Sequence, residues 1–312
     1  MRRPSWSWIL PRTTSFAYEQ FGGGGGRGRS PFSSCGPRLL IILAIAGFAL
    51  FKYFSLPTEK NQFTGRQQRL NLDAKEEIVL GLNSAPQMAR QFGGLSPDER
   101  AREYVARVGA KLVNDTDADQ TPYGNNFKFH LLADRKVVNA FALPGGQIFI
   151  TEALFRLLKT EDELAGVLGH EIGHVVGRHS SEQMAKSDLI NGLTTAVVVG
   201  ASGESGGMEA ARVAQMVGQM VNMKYGRGDE LESDKLAVLF LLQAGYDPEA
   251  MIRVMEVLRD ASGGGSQPEF MSTHPAPANR MEVIKAEIAK LRKEGKDKRG
   301  GTGQAPLVEI KE

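Results

Sequence analysis

Residues 160–179 read TEDELAGVLGHEIGHVVGRH. Thr160 followed three residues later by Glu163 is a capping-box pattern, with Thr160 as N-cap and Glu163 at the third helical position. It predicts a helix start, and Leu164, Val167, Leu168, Val175 and Val176 supply the apolar positions of the helix. His170 and His174 are four residues apart, so their imidazoles leave the same helical face and can meet at one ion. Glu171 lies one residue round from His170, close enough to reach a water on that ion without taking a coordination position. Two neutral nitrogen ligands and one carboxylate base are the mechanical content of H-E-x-x-H. The same five letters also occur on helices whose histidines are simply hydrogen-bonded, so a metal reading needs a third ligand.

The segment Glu230-Leu231-Glu232-Ser233-Asp234 opens a second helical run, continuing into KLAVLFLLQAG. Glu230 and Asp234 are again one turn apart, so both can face the first helix. Glu230 is then placed to bind the metal, and Asp234 to accept a hydrogen bond from the far nitrogen of a ligand histidine and fix its orientation. The alternative is an acidic helix start that only complements the helix dipole.

His170-Glu171-Ile172-Gly173-His174 followed by Arg178-His179, and then Glu-x-x-Ser-Asp at 230–234, resembles the family-48 zinc metallopeptidases. These gluzincins include the CAAX prenyl endopeptidase, the bacterial heat-shock membrane protease, the mitochondrial inner-membrane quality-control protease and periplasmic outer-membrane-assembly proteases. The resemblance covers residues 76–292. It implies one Zn2+ per chain on His170, His174 and Glu230, with Ser233 standing where the family's E-x-x-A-D has alanine. It implies that Glu171 takes a proton from water and delivers it to the leaving amine. The implied fold is α+β, a mainly helical zincin-like domain with a small sheet whose edge strand borders the active-site helix. In the stretch NAFALPGG at 139–146, Asn139, Ala140 and Phe141 correspond to the family's substrate-binding strand. An unpaired strand edge holds any extended peptide through its backbone; a hairpin strand satisfied within its own sheet is the other reading. Thr273-His274-Pro275 and Arg280 extend the resemblance. His274 either donates to the oxyanion or occupies the open coordination position, and Arg280 either holds Asp234 or stabilises the tetrahedral intermediate. The implied substrates are extended, unfolded or misassembled envelope proteins.

The chain's 312 residues, 41% hydrophobic and 24% charged, are those of a globular protein with ample core. Its net charge of +2 divides into +5 over residues 1–38 (six arginines against Glu19) and −3 over the remainder. The basic character therefore belongs to a tail, and nucleic acid is not an expected partner of the folded part. Cys35 is the single cysteine, so no intramolecular disulfide forms. Residues 1–38 read as a disordered basic tail, 39–56 as a transmembrane signal anchor, 57–75 as a polar linker, 76–292 as the metallopeptidase domain and 293–312 as a flexible tail. A cleaved signal or a buried core helix are the other readings of 39–56. Arginines before the anchor predict a single-pass protein with its catalytic domain on the exported, periplasmic side. An arginine-rich, serine-containing leader also fits import to the mitochondrial inner membrane. The absence of further spans in the sequence fits the periplasmic soluble-domain branch of the family.

Helices are expected around 76–92, from Ser96-Pro97-Asp98-Glu99 to about Val113, and over Arg280–Arg292; strands are expected at Phe127–Leu132, Val137–Leu143 and Gln147–Thr151. Leu189–Ala201 is apolar but short and reads as a buried or membrane-facing hairpin element. His130 and His179 read as structural, His179 because a continuing helix turns it to another face. Gly173 reads as leaving room beside the metal. Met208, Met216, Met220 and Met223 read as core filling, with a hydrophobic substrate lip as the alternative. The function expected is a zinc endopeptidase of envelope quality control. The competing class is a binding or chaperone-like module whose zinc is structural or masked by His274.

Overall fold

The computed structural model describes residues 35–202, 224–261, 268–275, 279–297 and 307. Met208, Met216, Met220 and Met223 lie outside the described residues, as do residues 1–34 of the basic tail. In chain order the elements are α1 (Cys35–Phe54), β1 (Thr58–Lys60), β2 (Gln67–Arg69), α2 (Ala74–Gln91), α3 (Glu99–Asn114), β3 (Lys128–Leu132), β4 (Ala140–Leu143), β5 (Gln147–Thr151), α4 (Glu152–Phe155), α5 (Glu161–Val176), α6 (His179–Ser202), α7 (Arg227–Ala244), α8 (Ala250–Ala261), α9 (Glu269–Thr273) and α10 (Arg280–Lys293). Among the described residues the fold is mainly helical with two small sheets, an α+β arrangement.

The helices start where short polar side chains can accept from the first free N–H groups. Asp73 and Glu76 make a reciprocal capping box on α2, and Asp98 caps α3 through Ala101 N. On α5 the expected box is only half formed. Thr160 Oγ1 accepts from Glu163 N at 3.3 Å, but the Glu163 carboxylate reaches one residue further back, to Lys159 N at 2.6 Å.

The larger sheet has the order β3-β5-β4, with β3 parallel and β4 antiparallel to β5. β4 is therefore an edge strand, and it packs beside α5. It begins at Ala140, three residues later than expected, because Thr151 ends the ladder with its side chain. The Thr151 hydroxyl donates to Val137 O at 2.7 Å and accepts from Asn139 N at 3.2 Å. Gly145 and Gly146, with φ of 78° and 107°, turn β4 into β5 in a conformation only glycine adopts freely. All five residues of β5 are buried, as expected of a strand covered on both faces. Val105, Val108 and Leu112 of α3, Ile148 and Ile150 of β5, and the apolar residues of α5 and α7 join in one core.

Residues 57–75, read from sequence as a linker, carry the antiparallel β1–β2 ribbon. Its side chains tie it to the end of α5: Asn61 Nδ2 donates to Val176 O at 2.8 Å and Gln68 Nε2 to Gly177 O at 2.7 Å. Polar composition here reflects side chains spent on carbonyls at a helix end, not a lack of structure.

α1 packs along α6, with Ala49 buried at the crossing and a Cβ on Gly192 placed 2.7 Å from Ala49 Cβ. Leu39, Leu40, Leu43, Phe48, Phe51 and Phe54 of α1 are exposed. Among the described residues no helix is long and apolar enough to cross a membrane. The apolar stretch from Leu189 is not a hairpin of its own. It continues α6, which runs unbroken from His179 to Ser202.

Candidate metal centre

α5 is buried from Asp162 to Val176, so it threads the core instead of lying on the surface. α7 crosses it at a line of small residues. A Cβ on Gly173 would lie 2.9 Å from Ser233 O and 3.0 Å from Ser233 Cα, and one on Gly169 would lie 3.6 Å from Ala237 Cα. Gly173 therefore makes room for the backbone of α7, not for the ion.

This close approach brings the two predicted ligand sets together. His170 Nε2 and His174 Nε2 are 3.1 Å apart, and Glu230 places Oε2 at 3.4 Å from the first and Oε1 at 3.5 Å from the second. His274 joins them from the end of α9, with Nδ1 3.1 Å from Glu230 Oε1. Each of the four buried residues contributes an atom within 4.8 Å of the others.

The polar bookkeeping of the cluster fits a cation. Glu230 Oε2, His274 Nε2 and both carboxylate oxygens of Glu171 are buried without a hydrogen-bond partner. Each such group costs about 1–3 kcal/mol unless something pairs with it. Imidazole nitrogens with one carboxylate oxygen are the donor set of catalytic zinc. Burial disfavours a charged His170, but hydrogen bonds to Asp234 and Glu230 outweigh it and lift the ring to about 9. Burial pushes His174 well below its ordinary value despite the pull of Glu230. Burial works against Glu230's charge too, yet His274, His170 and His174 hold its carboxyl well below the usual range. Glu171, by contrast, is pushed up by burial, with His274 and His170 opposing only in part.

Behind the cluster stands a rigid layer. His170 Nδ1 lies 3.0 Å from Asp234 Oδ1, the orientation expected for a ligand histidine. Arg280 grips Asp234 with both arms of its fork, Nε to Oδ2 at 2.6 Å and Nη2 to Oδ1 at 2.8 Å, while Nη1 lies 3.3 Å from Glu230 Oε2. Of the two roles expected for Arg280, the geometry supplies the first, holding Asp234. His274 stacks on Phe270 with ring centroids 4.3 Å apart and sets Nε2 3.7 Å from Glu171 Oε1. His274 thus stands inside the cluster, between Glu230 and Glu171.

Of the edge-strand residues, Ala140 and Phe141 lie in β4, and Phe141 packs against Phe92 and Phe149. Asn139 lies just before the strand with its backbone tied to Thr151 and its Oδ1 buried without a partner. Phe270 N donates to Val138 O at 3.2 Å, so the helix that carries His274 is hooked to the approach to β4.

Two neighbours of His174 escape the sequence reading. Tyr225 stacks on its ring at 3.9 Å and hydrogen-bonds Ser180 through its hydroxyl, a contact with no motif. His179 lies with Nδ1 2.9 Å from His174 Nδ1, because the chain does not continue as one helix. α5 ends at Val176, and Arg178, at φ 55°, reverses the chain so that His179 turns back toward the site. The recurrence of Arg178-His179 in the resemblance is the one sequence signal that could have found it. His130 is remote from the cluster, hydrogen-bonded to Gln147 and stacked on Phe149, as a structural histidine should be.

A profile of Peptidase family M48 matches residues 94–288. The chain is 32% identical over 223 residues to the beta-barrel assembly-enhancing protease of Yersinia pestis, covering 70% of this chain and 45% of the relative. It is 31% identical over 212 residues to the protein of that name from Escherichia coli (strain K12), covering 65% and 42%. To the mitochondrial metalloendopeptidase OMA1 of Saccharomyces cerevisiae it is 26% identical over 293 residues, covering 88% and 82%. The chain thus spans less than half the length of the two bacterial relatives. With the profile match running through both ligand helices and into α10, the chain belongs to peptidase family M48.

Proposed function

We propose that the chain is a zinc-dependent endopeptidase acting on extended or misfolded proteins at a membrane or cell envelope. Zinc is the metal of the family, and His170, His174 and Glu230 are the residues that would hold it. The observation that carries the reading is Glu171, a buried carboxylate without a hydrogen-bond partner beside that ligand set. A structural metal site has no use for such a group, whereas a hydrolase needs it as a base.

Bound zinc supplies Lewis acidity toward the scissile carbonyl and toward water. Glu171 accepts the proton of the attacking water and returns it to the leaving amine nitrogen, a role suited to a carboxyl raised by burial. Asp234 and Arg280 keep His170 and Glu230 in place while charge develops. The free side of β4, at Ala140 and Phe141 with Asn139 leading in, offers backbone groups to an extended peptide whatever its side chains.

Residues 76–292 form the catalytic domain in this reading, with 293–312 a tail. Residues 39–56 hold the chain to a membrane in this reading, supported by the apolar exposed residues of α1 and the arginine-rich sequence before it, although α1 as described is not long and apolar enough to cross one. The relatives' names, a beta-barrel assembly-enhancing protease and a mitochondrial metalloendopeptidase, support protein substrates; in this reading the substrates are misassembled envelope proteins met by an exported catalytic domain, with the mitochondrial inner membrane as the second location. His274 within the ligand set favours a second reading, a binding module whose zinc is masked.

The test compares wild type with Glu171→Gln on an unfolded protein substrate, with zinc content measured in both. Cleavage should vanish in the variant while zinc stays bound. Full activity in Glu171→Gln would sink the scheme.

A further inference from the structure

Glu232, His179 and His174 form a hydrogen-bonded chain that runs from a partly exposed carboxylate to a buried ligand. His179 Nε2 lies 2.7 Å from Glu232 Oε2, and His179 Nδ1 lies 2.9 Å from His174 Nδ1. Directions follow from which atoms can donate. A carboxylate only accepts, so His179 keeps its proton on Nε2 and donates that N–H to Glu232 as a hydrogen bond. In the neutral ring its Nδ1 then carries one lone pair, to which His174 Nδ1 at 2.9 Å lies nearer than Ser233 Oγ at 3.2 Å. His174 Nδ1 must therefore carry the N–H that points at His179. The one remaining nitrogen of His174, Nε2, keeps its lone pair, and it faces His170 Nε2 at 3.1 Å and Glu230 Oε1 at 3.5 Å.

We infer that His179, oriented by Glu232, is a positioning residue that fixes the tautomer of His174 so that its Nε2 lone pair points into the metal site. Asp234 does the same for His170, so each ligand histidine has its own acidic orienter, one direct and one relayed through a second imidazole. The chain is anchored at its far end by Arg66, which reaches out from the β1–β2 ribbon. Arg66 Nε lies 3.4 Å from Glu232 Oε2, and its two other nitrogens bind Asp229 at 2.7 Å and Glu182 at 2.6 Å. This gives the ribbon a task at the site, although no ribbon residue belongs to the ligand set.

The inference rests on the zinc reading of the same centre, and its test is read without catalysis. Zinc affinity of the full chain is measured by competition with a chelator, beside zinc-free melting, for wild type, Glu232→Gln, His179→Phe and His179→Asn. Glu232→Gln and His179→Phe should weaken zinc by about 10- to 100-fold. His179→Asn, whose Oδ1 can stand in for the Nδ1 acceptor, should recover most of that loss. Nitrogen-15 spectra of the wild type should show a scalar coupling between His174 Nδ1 and His179 Nδ1 across the hydrogen bond, lost in Glu232→Gln.

Unchanged zinc affinity in Glu232→Gln, or a proton on His174 Nε2 in the wild type, would overturn the inference. If His179→Phe does not fold, Glu232→Gln and the spectra still decide. Tight zinc binding by a wild type that cleaves nothing would remove the endopeptidase reading and leave this one standing.

Discussion

His274 Nδ1 sits 3.1 Å from Glu230 Oε1, inside the ligand set and not at its margin. In the proposed endopeptidase this ring, stacked on Phe270, takes up room at the cluster that a substrate carbonyl needs. His274→Ala should therefore raise the rate of cleavage of an unfolded protein several-fold while zinc content stays at one per chain. Steady-state kinetics with metal analysis checks this. A fall in kcat at full zinc content would assign His274 to the transition state instead.

Arg280 is 2% exposed and faces two buried carboxylates, Asp234 and Glu230. Removing it leaves both acids without their cation, a loss of about 3–5 kcal/mol for a buried pair broken on one side. Arg280→Met should lower stability by that order and weaken zinc as well. Arg280→Lys should rescue little, because an ammonium cannot span Asp234 with two parallel N–H groups. Denaturant melts of both variants with and without zinc are the measurement. Retention of wild-type stability in Arg280→Lys would show that charge alone suffices.

Glu182, on α6, supplies the pH dependence. Burial raises its carboxyl, but hydrogen bonds from Lys186 and Gln68 and the charge of Arg66 outweigh it, and the net shift is downward. A carboxyl depressed on folding stabilises the protein above its unfolded pKa, and the contribution disappears as pH falls through the folded value. Glu182→Gln should accordingly melt below wild type at pH 7, with the gap closing below about pH 4.5 as wild type also loses its charge. A gap independent of pH would mean that Glu182 acts by shape and not by charge.

The ligand residues were legible because their geometry is local: four-residue spacing on a helix puts two side chains on one face wherever the helix goes. Glu230 was legible for the same reason within its own helix, and the resemblance linked the two. His179 was lost because helical spacing was carried past Val176, where the Gly177 cap and the left-handed Arg178 reverse the chain. Tyr225 and Arg66 meet the site only through tertiary packing, which leaves no periodic trace. The β1–β2 ribbon was missed because its polar side chains look like solvent-facing ones until the helix carbonyls they satisfy are known. Gly173 was assigned to the wrong neighbour, since a small residue beside a ligand gives no sign of which side is crowded.

That reassignment can be tested directly. At Gly173 a methyl group would press on Ser233 O and Cα at 2.9 and 3.0 Å, both backbone atoms that cannot swing aside. α5 and α7 must then part, carrying His170 and His174 away from Glu230. Overpacking of this kind costs about 1–3 kcal/mol, so Gly173→Ala should melt lower and bind zinc more weakly. Gly228 lies five residues before Ser233 on the same helix, and a Cβ there would meet nothing within 4 Å. Gly228→Ala, on helix propensity alone, should leave zinc affinity unchanged and stabilise by up to about 1 kcal/mol. Thermal melts and chelator competition on the two variants separate the cases. Wild-type zinc affinity in Gly173→Ala would show that the ligand set does not depend on how closely the helices touch.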